Sequence, residues 1–226
     1  MRYVVPRPAI LISALLTTIL CASAQTPPPQ ASPVADAKPL PPRASASDYQ
    51  AHAKAGSVTI GAEFNGHFVP TPGGTYTTED FVVVETGLFG DPDARLTLSP
   101  DQFSLRINEN KKTTPSQSVV LVIASLKDPE WAPPEPSSSK SGKTSLSGGG
   151  GGGGQGDPPP APAHMPPELQ HAMIQRVQKA VLAEGERPLP QAGLLFFPYR
   201  GQAKGIRSVE LIYKGPAGEV TLPLHP

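Results

Sequence analysis

A mainly β fold, an antiparallel sandwich with one inserted amphipathic helix and long disordered segments, follows from three features of this 226-residue chain. Short segments alternate apolar and polar residues with the period of two that half-buries a strand. The 30 prolines and 22 glycines cluster between these segments rather than inside them. One later stretch repeats apolar residues every four positions, the period of a helix face.

The chain opens with a targeting pattern. Arg2 and Arg7 precede the uncharged run Ala9 to Leu20, and Ala22-Ser23-Ala24 supplies the small-x-small site of a signal peptidase. The run falls short of the roughly 20 apolar residues that span a bilayer. Cleavage is expected between Ala24 and Gln25, which takes 24 residues from 226 and leaves 202. Cys21, the only cysteine, is then removed, and with it any disulfide or thiolate chemistry. Its neighbours Leu20 and Thr18 do not suit acylation, since a lipoprotein signal wants a small residue before the cysteine and leucine three before it. Residues 25–47 are rich in proline and alanine without apolar period and read as a disordered linker.

From Ser57 the texture is β. Val58, Ile60, Ala62 and Phe64 alternate with Thr59, Gly61 and Glu63, and a Thr71–Gly74 turn follows. Residues 80–89, "DFVVVETGLF", read as a central strand covered on both faces. A short strand at "RLTLS" and an alternating one at Phe103, Leu105 and Ile107 come next, then a β-branched run at Ser118–Leu126 that reads as a fifth strand. Residues 128–165 hold too few large apolar groups to offset the entropy of ordering them, and include seven glycines at Gly148–Gly154. Trp131, at the root of this insert, either tucks against the sandwich, the favoured placement, or stays partly exposed.

A helix is expected over Pro166–Glu184. Proline suits its first turn, Leu169, Met173, Val177 and Val181 form its stripe with Ile174 and Ala180, and Gly185 ends it. This stripe packs on the core or presents a partner-binding face. Strands at 192–199, at Ile206–Tyr213 and at Val220–Leu224 follow, the last two joined as a hairpin by "KGPAG". Five strands before the insert and three after it make eight, the size of an immunoglobulin-like sandwich. Residues 48–226 therefore read as a single domain. Stretching a connection to the length of the insert costs on the order of 2 kcal/mol, since each doubling adds about 0.6 kcal/mol. Burial of four large helix side chains outweighs that, at roughly 6–12 kcal/mol before entropy.

"FVVVETGLF", "TLSPDQFSL" (Thr97 to Leu105) and "GLLFF" (Gly193 to Phe197) resemble the immunoglobulin-like extracytoplasmic domains of unknown function of bacterial envelope proteins. The likeness spans Thr78–Leu126 and Ala192–Leu224. It implies a structural rather than a catalytic residue set, and the Pro/Gly insert with its helix departs from the pattern.

No catalytic constellation stands out. "SGKTS" at Ser141–Ser145 has Ser137 where a phosphate loop needs glycine, and neither strand nor helix flanks it. His52, His67, His164, His171 and His225 show no metal-ligand spacing. No Gly-x-Ser-x-Gly elbow occurs. Glu63, Asp80, Glu85 and Glu210 are the carboxylates a glycoside hydrolase would need; Glu63 and Glu210 fit solvent faces of strands, and Glu85 ends the valine run. No catalytic residue, cofactor or metal is assigned. Loss of Arg2 and Arg7 leaves 17 of 19 basic residues against 19 acidic ones, which excludes the basic footprint of a nucleic-acid binder. A nucleotide partner is excluded with the phosphate loop, and membrane contact is limited to the signal segment.

The reading is an exported, non-enzymatic domain, periplasmic or associated with the outer membrane, or secreted. Its partner would be an envelope protein or a cell-wall component. The alternative is an accessory or substrate-binding module of an enzyme acting on peptidoglycan or polysaccharide. An exposed aromatic row drawn from Tyr49, Tyr76, Tyr199 and Tyr213 would favour that alternative.

Overall fold

The computed structural model describes residues 37–132 and 164–226. The signal cleavage pair Ala24 and Gln25, Cys21, the glycine run and "SGKTS" lie outside them. Thirteen strands form: β1 (Ala51–Ala55), β2 (Val58–Phe64), β3 (Phe68–Thr71), β4 (Gly74–Thr78), β5 (Phe81–Phe89), β6 (Arg95–Leu98), β7 (Phe103–Ile107), β8 (Thr114–Pro115), β9 (Leu126–Lys127), β10 (Gly185–Pro188), β11 (Gln191–Pro198), β12 (Val209–Gly215) and β13 (Gly218–Leu224). Two helices accompany them, α1 (Val119–Ile123) and α2 (Pro167–Ala180).

Two four-stranded antiparallel sheets, ordered β1-β2-β5-β11 and β13-β12-β7-β8, face each other as the expected mainly β sandwich. Strands from either side of the insert pair directly: Leu195 lies opposite Val84, and Leu211 opposite Leu105. Alternation sends Ile60, Val82, Val84, Leu195 and Phe197 inward from one sheet and Phe103, Leu105, Leu211, Tyr213 and Leu222 from the other. The Phe103 and Tyr213 rings meet at 5.1 Å between centroids, so the two middle strands of the second sheet share one aromatic contact.

The first sheet is buried on its other face as well. Phe81, Val83, Leu194 and Phe196 pack outward against Val69 and Tyr76 of the small sheet β3-β4-β9, Val122 of α1, and Met173, Val177 and Ala180 of α2. Burial on both faces is why β5 is a continuous apolar run instead of an alternating one. The helix stripe thus packs on the core, with Met173 and Val177 buried and Leu169 left at the exposed start. Burying those two side chains contributes roughly 1.5–3 kcal/mol each before entropy. The "KGPAG" hairpin forms as expected, with Gly215 opposite Gly218. Trp131 is half-buried, its backbone N–H donating to Asp128 O at 3.3 Å.

Several expectations need correction. The run Ser118–Leu126 is not one strand: Val119–Ile123 form the one-turn α1, capped by the Ser118 hydroxyl on Val120 N–H, and Leu126 enters β9. Val119, Val122 and Ile123 point inward at helical spacing while Val120 and Leu121 are 68% and 57% exposed. A short apolar run carries no period to separate the two forms; the neighbouring edge of β11 is already bridged by Gln117 to Phe196.

The helix expected to reach Glu184 stops at Ala180. Val181 bridges Leu194 and Leu182 N–H donates to Leu194 O at 3.2 Å, carrying the chain over the edge of β11 and placing Leu182 in the sandwich core. The crossing needs Gly193, where an added Cβ would lie 2.7 Å from the Val181 carbonyl carbon.

The linker expected over 25–47 is anchored in its described part, 37–47. Leu40 packs on the outer core and Ala46 is buried in a short turn capped by Ser45. Strands β1, β3, β4 and β10 had no apolar alternation strong enough to reveal them.

Candidate functional site

The strap 37–49 carries the most perturbed charges. Glu63 of β2 and Glu85 of β5 stand directly opposite each other, an arrangement of like charges that destabilises a sheet. Arg43 resolves it. Its Nε and one terminal nitrogen donate to the two Glu85 oxygens at 3.1 and 3.2 Å, and its other terminal nitrogen reaches Glu63 at 2.6 Å and Asp48 O at 2.7 Å. The guanidinium also lies 4.4 Å from the centre of the Tyr49 ring, within cation–π range. Burial acts to lower the Arg43 pKa, but the hydrogen bonds and charges of Glu85 and Glu63 outweigh it and raise the value further above its usual range.

Tyr49 rests on Gly61 and Gly87, themselves paired across β2 and β5. A Cβ at Gly87 would meet its hydroxyl oxygen at 2.5 Å, so this glycine pair forms the floor the ring requires. Burial pushes the Tyr49 phenol above its usual 10.0, with the Glu85 charge adding to the shift and the Arg43 backbone N–H opposing it. The clasp is closed and internally satisfied. It anchors the strap and offers no open position to a substrate.

The open surface lies at one end of the sandwich, where four connections converge. The turn Ile107–Asn110 places Asn108 and Glu109 at φ 54° and 55°, closed by Asn110 N–H to Ile107 O at 3.2 Å. Asparagine tolerates this left-handed conformation better than glutamate does. Asn108 also holds the β11–β12 connection: its Oδ1 accepts from Arg207 N–H at 2.7 Å and Ser208 N–H at 3.3 Å, and its Nδ2 donates to Gly205 O at 2.8 Å. On the far side of that connection, the two ring nitrogens of His67 lie 2.8 Å from Phe81 O and 3.0 Å from Gly201 O. Tyr199 N–H donates to Asp80 O at 2.8 Å. These hydrogen bonds cross-link the loops, which surround shallow grooves lined by Asn108, Lys112 and Tyr199, by Leu121, Tyr199 and Arg200, and by His67 and Arg200.

The residues singled out from sequence do not assemble into one site. Glu63 and Glu85 sit in the clasp, Glu85 buried rather than merely ending a run. Asp80 pairs with Arg200 at 3.0 Å and Glu210 with Arg106 at 2.7 Å, so all four weighed carboxylates have an arginine partner. The histidines lie apart, and no group of three metal-ligating side chains converges among the described residues. Tyr49, Tyr76 and Tyr213 are buried, which leaves Tyr199 as the member of that set at the surface and removes the aromatic row. Arg43, Asn108 and Arg200 escaped sequence reading because their partners are remote in the chain. Glu85, a charge inside an unbroken apolar strand, was the signal that a buried cation had to exist.

No helix among the described residues is long and apolar enough to cross a membrane. No family model matches the chain, and no curated protein matches it. Among solved structures it is similar to ycdA of Bacillus subtilis, a candidate lipoprotein, with a TM-score of 0.34 and 10% identity over 77% of this chain. The chain spans 38% of that protein's length, and a likeness of this degree carries no argument about function.

Proposed function

We propose that the protein is an exported, non-catalytic interaction domain of the bacterial cell envelope that engages its partner through the loop end of the sandwich. The observation that carries this reading is the convergence of loops around Tyr199 and Arg200, cross-linked by the hydrogen bonds of Asn108 and His67. A sandwich fixes its strands and leaves recognition to the loops at one end. The arginine pairing of all four weighed carboxylates supports a non-catalytic role, because none stands as an unpaired acid or base facing a groove.

The test is site-specific photocrosslinking in the native host. A photoreactive residue replaces Lys112 at the loop end or Ala217 in the β12–β13 turn at the opposite end. Discrete adducts from position 112 and none from 217 are expected, in the envelope fraction. Equal labelling from both ends, or adducts with cytoplasmic proteins alone, overturns the reading.

A further inference from the structure

We propose that the groove between α1 and the β11–β12 connection binds the C-terminal residue of a peptide, taking its apolar side chain and its free carboxylate together. The inference rests on the loop-end reading above and adds a ligand class to it. The groove encloses about 550 Å³ and is lined by Asp80, Phe81, Leu121, Pro198, Tyr199 and Arg200. Phe81 is buried, and Leu121 is 57% exposed although its helical neighbour Val122 is fully buried. One exposed leucine is ordinary; one that lines a groove together with Phe81, Pro198 and Tyr199 is a seat for an aliphatic side chain.

The charge at the rim chooses among apolar ligands. Arg200 has an 86% exposed side chain and donates through Nε to Asp80 Oδ1 at 3.0 Å. Its two terminal nitrogens have no hydrogen-bond partner among the described residues. Asp80 thus engages only the Nε edge of the guanidinium, and its terminal N–H pair stays open to a second carboxylate, the fork geometry that arginine presents best. Seat and fork line one short groove, so the apolar group and the carboxylate must lie within one residue of each other. A chain terminus satisfies this with a single residue. Lys112 and Arg207 in the adjoining grooves add positive charge, Glu109 opposes it beside Arg207, and Glu79, which lines the next groove with Arg200, is paired with Lys127.

The probe is N-acetyl-leucine, titrated into the isotope-labelled full chain and followed by amide-resolved NMR, with N-acetyl-leucinamide as its uncharged counterpart. Saturable shifts centred on Leu121, Tyr199 and Arg200 are expected, with Kd on the order of 2 mM for a ligand of this size. The amide, and the variants Arg200→Gln and Leu121→Ser, should each bind about fivefold more weakly or worse. Amide dispersion outside the groove reports that the variants remain folded. Absence of saturation by about 50 mM, equal binding of the amide, or shifts centred elsewhere overturns the proposal. If crosslinks from position 112 persist in that event, the ligand class fails while the loop-end reading stands.

Discussion

Replacing Arg43 by methionine tests whether the clasp holds the strap by charge or only covers the sheet. Methionine keeps much of the stem and removes the guanidinium. Glu85, whose side chain is 11% exposed, then loses both its hydrogen bonds, and Glu63, at 34%, loses its 2.6 Å ion pair. Hydrogen bonds to charged groups contribute about 1.5–3 kcal/mol net, and at this exposure the bidentate Arg43–Glu85 pair acts as one such unit while the half-exposed Glu63 contact adds little. The two carboxylates, opposite each other in register, are also left to repel. At a separation of about 6 Å and an effective dielectric of about 20 that repulsion approaches 3 kcal/mol, and the exposure of Glu63 cuts it to roughly 1 kcal/mol.

The expected loss is thus about 3 kcal/mol, which lowers Tm by roughly 6–12 °C in a domain of this size. Thermal and urea melts measure it. The decisive comparison is the same substitution in a Glu63→Gln/Glu85→Gln background, where repulsion is gone and the loss should fall below about 1 kcal/mol. If Arg43→Met costs less than about 0.5 kcal/mol, or costs the same in both backgrounds, the clasp is solvated and the charge argument is wrong.

Three further outcomes follow from the same geometry. Gly87→Ala drives a methyl into the Tyr49 ring and should destabilise by about 1–3 kcal/mol, with much of the loss recovered when Tyr49 is also replaced by alanine; additive losses in the melts would refute the floor. Val120→Ser should change stability by less than about 0.5 kcal/mol and Val122→Ser by at least about 2 kcal/mol, because a helix places these positions on opposite sides where a strand would bury both; similar losses would restore the strand. Burial raises the Tyr49 and Tyr213 phenols above 10.0, so above that pH the unfolded chain releases protons that the folded chain retains. Their contribution is therefore complete below pH 10.0 and is lost as pH rises through the folded values; alkaline urea titrations should show this, and Tyr49→Phe should flatten the decline.

The elements legible in the sequence are those whose burial is written into local period. Val58, Ile60 and Ala62 declare β2, Phe103 and Leu105 declare β7, and Met173 with Val177 declares the buried face of α2. What escaped depends on contacts distant in the chain. The run Val119–Ile123 has strand composition, yet a serine cap and an occupied sheet edge coil it. Strand β1 alternates alanine with His52 and Lys54, too weak an apolar contrast to register. The stretch 37–47 has the proline content of a tether, and Arg43 shows its purpose only after β2 and β5 bring Glu63 and Glu85 face to face. At the loop end, Asn108 marks a turn in the sequence, but its grip on residues 205–208 spans about a hundred positions, roughly the residue count of a small domain.

The two charged features of the molecule differ in what they leave open. In the clasp, both carboxylates, all three nitrogens of the guanidinium and the glycine floor are engaged within the chain, so its charges specify one docking of the strap. An apolar pair at Glu63 and Glu85 would cover the sheet at less desolvation cost but would accept any greasy segment, whereas an opposed carboxylate pair is tolerable only with a cation across it. At the loop end the arithmetic is the reverse. Asp80 engages a single nitrogen of Arg200, and the terminal pair stays uncommitted beside the exposed Leu121 and the half-buried Tyr199. A surface charge that only aided solubility would need neither a fixed carboxylate behind it nor loops locked by Asn108 and His67 in front. Recognition needs both, because a preorganised donor pair loses less entropy on binding than a free one. The clasp fixes the strap, and the loop end is where the molecule retains unspent bonding capacity.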